Sequence, residues 1–291
     1  MMENIEVFLV NAFTKDGSGG NPAGVVLNAD RLNDADKLHI AQVIGYSETA
    51  FVSSDEEADF EVSFFTTTGE VDFCGHATLA TFSVLHQKGF ITDGQYRQRT
   101  KAGILPVSVN ALGEVTMEQA LPTFGRTFSN SEVAGLIGID ENVLNSLSLP
   151  AQVVSTGLPD LIIQVPKGYL DKVNIDEAKL IEFSKDHELV GAHVFELSDG
   201  TEVTASCRNF APLFGISEES ATGSASGALA CYLDKYLATE HSRSFVFEQG
   251  RVMGALSQIF ASVESNEHGV QRVKVGGVAN VIGSKIVSLQ D

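Results

Sequence analysis

The segment Tyr46-Ser-Glu-Thr-Ala-Phe51 places a carboxylate, Glu48, between the stop of a helical pattern and the start of an apolar strand. A carboxyl group at the mouth of a buried strand is costly to desolvate, so its pKa is expected to rise toward the range useful for general acid/base work. The plain alternative is a helix-exit glutamate in solvent. His76, at the loop-to-helix junction Phe73-Cys-Gly-His-Ala77, is a candidate acid, base or polariser. Its alternative is a hydrogen-bonded structural histidine. Cys74 is a candidate nucleophile or base, because a thiol near a helix N-terminus is drawn toward thiolate. The competing expectation is a small apolar residue packed under the loop.

Two glycine-led helix starts, Gly75-His-Ala-Thr-Leu-Ala80 and Gly223-Ser-Ala-Ser-Gly-Ala228, lie 148 residues apart. At such a junction the first backbone N–H groups lack intrahelical acceptors, and the helix dipole adds partial positive charge. Glycine lets a ligand approach the backbone closely. If the two halves face each other, both starts can converge on one cleft and hold a small anion without an arginine. Ordinary caps with glycines in tight turns are the alternative. Two further echoes, Gly20-Asn-Pro22 with Gly157-Leu-Pro159 and Ala50-Phe-Val52 with Val194-Phe-Glu196, recur at similar offsets near half the chain. Together they suggest two copies of one unit. Nucleophile-elbow, phosphate-loop and dinucleotide-loop patterns are missing, and the histidines show no H-x-x-x-H or H-x-H spacing. No metal and no flavin, nicotinamide or pyridoxal cofactor is therefore expected. Asp55-Glu-Glu-Ala-Asp59 reads as a solvated loop rather than a cation site.

The elements that must position these residues are short. Strand patterns fall at 5–10, 24–27, 50–53, 60–65, 107–109, 152–154, 161–165, 193–197, 243–247 and 272–275. Helical patterns are fewer. One runs over 35–44, with Asn33 or Asp34 as cap and Gly45 as stop, and a second from Gly75 to about 86, ending near Gly89. Others cover 130–137 with Gly138 as stop, 175–186 and 224–236. Many strands with occasional helices indicate an α+β fold. At 291 residues the chain has room for two domains, with halves expected at 1–125 and 126–291 and latitude for the extreme C-terminus to pack on the first half. A formal charge of −19 disfavours nucleic acid and anionic membrane surfaces as partners. Three widely spaced cysteines form neither a disulfide framework nor a zinc site, which suits a reducing compartment. The opening segment has no basic start and no long apolar stretch, so it does not read as a signal peptide, and no apolar run approaches the roughly 20 residues of a membrane span. A cytoplasmic protein is the expectation.

Five segments, Gly20-Asn-Pro-Ala-Gly-Val25, Ser47-Glu-Thr-Ala-Phe51, Phe73-Cys-Gly-His-Ala-Thr-Leu-Ala80, Arg208-Asn-Phe-Ala-Pro212 and Glu218-Glu-Ser-Ala-Thr-Gly-Ser-Ala225, stand in the order and spacing of the PhzF-like phenazine-biosynthesis family. Glu248-Gln-Gly-Arg-Val-Met-Gly254 and Val275-Gly-Gly277 extend the resemblance over nearly the whole chain. It implies a diaminopimelate epimerase-like fold: two pseudo-repeated α+β domains, each a sheet wrapped around a central helix. It further implies a cofactor-independent isomerase that moves a proton on a small carboxylate-bearing substrate, and a homodimer. On the matching motifs, Glu48 would be the acid/base, assisted by His76 and Glu219. Asn21, Ser47, Gly75, Gly223 and Ser224 would bind substrate. The chain departs from the family where Glu219-Ser220 replaces the usual Asp-Pro, and where Ala255-Leu256 interrupts a Met-Gly-Arg-Pro-Ser stretch. Both changes bear on the substrate rather than on the reaction class. Two other readings stay open: an amino-acid epimerase or racemase of the same fold, disfavoured because the second loop has no cysteine, and a non-catalytic small-ligand-binding protein.

Overall fold

A computed structural model describes residues 3–200, 202–237 and 242–289. The chain forms two compact units, Met1–Glu118 with Gly276–Asp291, and Gln119–Val275. The first contains β1 (Glu3–Ala12), β2 (Asn21–Val26), α1 (Asp34–Ile44), β3 (Glu48–Ser53), β4 (Phe60–Phe65), β5 (Glu70–Val71), α2 (Gly75–Gln87), β6 (Gly94–Thr100), β7 (Gly103–Val109) and β8 (Val115–Gln119). The second contains β9 (Thr123–Phe128), α3 (Asn130–Ile137), α4 (Glu141–Leu144), β10 (Ala151–Ser155), β11 (Pro159–Gln164), α5 (Glu177–Asp186), β12 (Gly191–Leu197) and β13 (Ala205–Ala211). It continues through β14 (Ile216–Glu219), α6 (Gly223–Leu237), β15 (Ser242–Gln249), β16 (Ser257–Asn266) and β17 (Gly269–Gly277), after which β18 (Ala279–Leu289) returns to the first unit.

Strand pairing repeats from one unit to the other. In the first, β1 pairs antiparallel with β2, β2 parallel with β3, β3 antiparallel with β4, β4 parallel with β6, and β6 antiparallel with β7. In the second, β10, β11, β12, β13, β15 and β16 follow with the same alternation. The small strands β5 and β14 hang on β4 and β13 respectively, and β18 and β9 flank β1 and β10. Each unit is thus one α+β motif with the same path. The register also corrects one sequence echo. Glu48 and Gly191 each open the strand that pairs in parallel with its predecessor, so the offset there is 143, and Phe51 corresponds to Val194 rather than to Phe195. A slip of one residue turns a side chain to the opposite face of a sheet. Val194 lies in the core with Leu161, Ile163 and Leu180, whereas Phe195 packs edge-on against Tyr232 of α6.

α2 and α6 are the central helices. Every residue from His76 to Leu85, and from Ala225 to Asp234, is buried, which their almost uncharged composition permits. α2 packs on β1, β2, β3 and β18, and α6 on β10, β11, β15 and β16. The outer helices are amphipathic and capped. Asn33 and Asp36 form a reciprocal capping box on α1, Ser129 and Glu132 on α3, and left-handed glycines at 45 and 138 stop both helices. No helix among the described residues is long and apolar enough to cross a membrane.

Candidate active site

In the first unit, the opening of β3 and the start of α2 bring Glu48, Cys74 and His76 together. His76 Nε2 lies 3.2 Å from Glu48 Oε2, with the two side chains 8% and 18% exposed. The ring N–H is not aimed squarely at that oxygen, so the contact holds as an ion pair more than as a linear hydrogen bond. His76 Nδ1 lies 3.4 Å from Cys74 Sγ. Burial is the largest influence on Glu48 and by itself would push the carboxyl up. Contacts with His76, Ser47 and Cys74 outweigh it and hold the group below its ordinary value. Burial would likewise lower His76, but Cys74 and Glu48 raise it well above the ordinary histidine value. Cys74 is raised, chiefly by burial.

Two sequence expectations are corrected here. Contacts with His76, Ser47 and Cys74 hold the Glu48 carboxyl below its ordinary value, so it is not raised by desolvation. Cys74 is held as a thiol, because full burial outweighs the helix terminus. The three side chains also offer donor atoms within 4.8 Å of one another, a set able to hold a soft divalent cation. The ring already contacts both partners, with Nε2 3.2 Å from the carboxylate and Nδ1 3.4 Å from the sulfur.

The start of α2 is open. Its N-cap, Cys74, makes no side-chain capping bond, and no acidic residue stands in the first turn. A Cβ added at Gly75 would meet nothing within 4 Å. The first N–H groups of this buried helix are therefore approachable by an anion, in contrast to the side-chain-capped α1. Ser47 is exposed immediately before Glu48, and Asn21 is buried at the start of β2, the strand on which β3 pairs.

In the second unit, Glu219, Gly223 and Ser224 lie on the single junction between β14 and α6. The adjacent acid, Glu218, is tied up: Arg208 donates to it in bidentate fashion at 2.8 and 2.7 Å and also bonds the carbonyls of Leu170 and Val173. Glu219 is partly buried, and its carboxylate accepts the Thr222 hydroxyl. Gln249 braces the loop by donating to the Glu219 carbonyl at 2.7 Å and accepting the Thr222 N–H at 3.3 Å. Gln119 donates to the Gly223 carbonyl at 3.1 Å and accepts the Thr156 hydroxyl at 2.6 Å, which fixes the first turn of α6. Sequence reasoning missed Thr222 and Gln249 as supports, and it missed Asp160. Asp160 is 1% exposed, and burial together with the charge of Glu219 pushes it up to about 7. The available signal was an aspartate inside the apolar strand Pro159-Asp-Leu-Ile-Ile163.

The sequence profile of the PhzC-PhzF family, phenazine biosynthesis-like proteins, matches residues 10–284. YfhB of Bacillus subtilis, described as an uncharacterized isomerase, is 34% identical over 295 aligned residues, covering 99% of this chain and 98% of the relative. The trans-2,3-dihydro-3-hydroxyanthranilate isomerase of Pseudomonas chlororaphis is 26% identical, covering 97% of this chain and 98% of that protein. Among solved structures, a PhzF-family phenazine biosynthesis protein from Bacillus anthracis superposes with a TM-score of 0.89 at 30% identity, covering 99% of this chain and all of that one.

Proposed function

The chain belongs to the phenazine biosynthesis-like family and is an isomerase, and on that premise we propose that it moves a proton on a small carboxylate-bearing substrate without a cofactor, using Glu48 as the general acid/base. One observation carries this reading: a partly buried Glu48, its carboxyl held below the ordinary value, stands 3.2 Å from His76 at a helix start left open to ligand. A general base must be charged and close to the carbon acid it serves, and the burial of Glu48 limits competition from water. His76, 3.2 Å away, stabilises the carboxylate between turnovers. Cys74, whose sulfur lies 3.4 Å from Nδ1 and 3.9 Å from Nε2, fixes the ring's orientation. In the first unit the open N–H groups around Gly75, with Ser47 and Asn21, are the proposed anchors for a substrate carboxylate, and in the second unit Gly223 and the Ser224 hydroxyl are proposed binding positions. Glu219 is the proposed second acid.

A two-thiol epimerase finds little support. Cys207 and Cys231 are both fully buried, and burial raises both thiols, Cys231 to about 12. By family resemblance we further propose a homodimer. Light scattering at micromolar concentration should then report twice 31.1 kDa, and a persistent single-chain mass would refute it.

The functional test is deuterium wash-in. The protein is incubated in D2O with a panel of small cyclic and amino carboxylates, including the compound for which the Pseudomonas relative is named. Incorporation at carbon into at least one member is expected. A panel member that binds, as shown by thermal shift, yet exchanges no carbon-bound proton would favour a binding protein instead.

A further inference from the structure

The side chains gathered where β3 opens and α2 begins are a carboxylate, an imidazole and a thiol. Proton transfer needs the first two. The third adds a property that the isomerase reading does not use, because sulfur beside an imidazole nitrogen is a donor set for soft metal ions. Among the described residues no other three His, Cys, Asp or Glu side chains converge in this way. The sequence shows no histidine pair at metal-binding spacing because this set is assembled from two elements: Glu48 comes from β3, while Cys74 and His76 stand on either side of Gly75 at the start of α2.

The distances suit a tetrahedral ion. Zinc holds thiolate sulfur at about 2.3 Å, imidazole nitrogen at about 2.0–2.1 Å and carboxylate oxygen at about 2.0–2.2 Å. At tetrahedral angles those bonds separate sulfur from nitrogen by about 3.6 Å and nitrogen from oxygen by about 3.4 Å. In the protein, Cys74 Sγ lies 3.9 Å from His76 Nε2, and Nε2 lies 3.2 Å from Glu48 Oε2. Both separations are within about 0.3 Å of the tetrahedral edge. One donor atom from each of the three residues falls within 4.8 Å of the others. Oε2 of Glu48 is buried and makes no hydrogen bond of good geometry among the described residues, so its lone pairs are free for an ion. Charge matches as well, since one thiolate and one carboxylate around a neutral ring cancel a dication, and a buried charge left uncancelled would be costly. An ion can reach the ligands past Gly75, where an added Cβ would meet nothing within 4 Å. Three protein ligands leave a fourth position for water.

We infer that Glu48, Cys74 and His76 form an inhibitory site for a zinc-class divalent ion, which takes the base of the reaction as one of its ligands. Binding replaces the thiol proton and any second proton on the ring, and both pass to solvent. The ion is not a cofactor here. A carboxylate held by the metal is no longer a free base, so occupancy and turnover exclude each other. That consequence rests on the isomerase reading, whereas the site itself does not. Magnesium and calcium are excluded by the same donors, because those ions require oxygen ligands throughout.

The site is read without substrate. The full chain, stripped of metal by chelation, is titrated with cobalt(II), whose bond to a thiolate gives a charge-transfer absorption that oxygen-bound cobalt lacks. Saturation at one ion per chain is expected, with the absorption lost on adding zinc and unaffected by magnesium. It should be absent in Cys74→Ser. Cobalt affinity should fall by about 100-fold or more in His76→Gln and in Glu48→Gln, since even residues behind the ligands are worth about 10–100-fold. No such absorption in wild type, or one that survives in Cys74→Ser, would overturn the site. If Cys74→Ser does not fold, the other two variants decide, and an unchanged affinity in either would overturn it. Deuterium exchange into a carboxylate that wild type accepts should stop when zinc fills the site and resume on chelation. Exchange that persists at full occupancy would overturn the inhibitory role. A protein that binds cobalt as described but exchanges no carboxylate would fail the isomerase reading alone, because the titration involves no turnover.

Discussion

Glu48 and Asp160 show how the same functional group is shifted in opposite directions by its neighbours. Both are removed from water, yet Glu48 has His76 at 3.2 Å and falls below its ordinary value, while burial, with a smaller contribution from the charge of Glu219, raises Asp160. The presence of Glu48 and His76 was legible in the motifs. The direction of the Glu48 shift was not, because it depends on a partner 28 residues away whose ring rotates into contact only in the fold. The pair also makes stability pH-dependent. Glu48 is lowered on folding, so its contribution is present above its unfolded value of 4.5 and is lost as pH falls through the folded value. His76 is raised, so its contribution is complete below 6.5 and is lost as pH rises through the folded value. The thermal midpoint of wild type relative to His76→Gln should therefore be highest between those two values and decline on either side. A difference that stays flat with pH would mean that the contact is not an ion pair.

At the scale of elements, helices were the more readable class. Asn33, Gly45 and Gly138 mark ends that the structure reproduces, because capping is a local transaction between residues three or four apart. Strands at 94–100, 115–119, 123–128, 205–211, 257–266 and 279–289 escaped sequence reasoning. Gly-Gln-Tyr-Arg-Gln-Arg-Thr100 is polar on both faces, and only pairing with β4 and β7 makes it a strand. Gly138 carries the sharpest prediction at this scale. Its φ is 66°, and a Cβ there would lie 2.5 Å from the Asn174 carbonyl oxygen. Gly138→Ala should therefore cost about 1–3 kcal/mol, as forced overpacking does. Denaturant unfolding would check this, and an unchanged midpoint would show that the turn relaxes freely.

At the scale of the whole chain, the repeat was visible through Gly75 and Gly223, each of which opens the buried helix of its unit. The return of the C-terminus to β1 was visible only as latitude, since no local pattern says which edge a final strand will join. β18 pairs with β1 along its length and sends Val287 and Leu289 into the core with Val7 and Ile40. Deleting residues 279–291 should thus open the first unit to limited proteolysis while the second unit, whose strands pair among themselves, stays protected. Equal protection of both would contradict this dependence. The central claim, that Glu48 moves the proton, is tested most directly by deuterium wash-in with Glu48→Gln beside wild type, using a carboxylate that wild type exchanges. Glutamine keeps the size and polarity of the side chain but cannot shuttle a proton, so binding should persist while exchange falls by about 10²–10⁴-fold. Equal exchange in the two proteins would leave Glu48 a structural carboxylate and the proposed mechanism wrong.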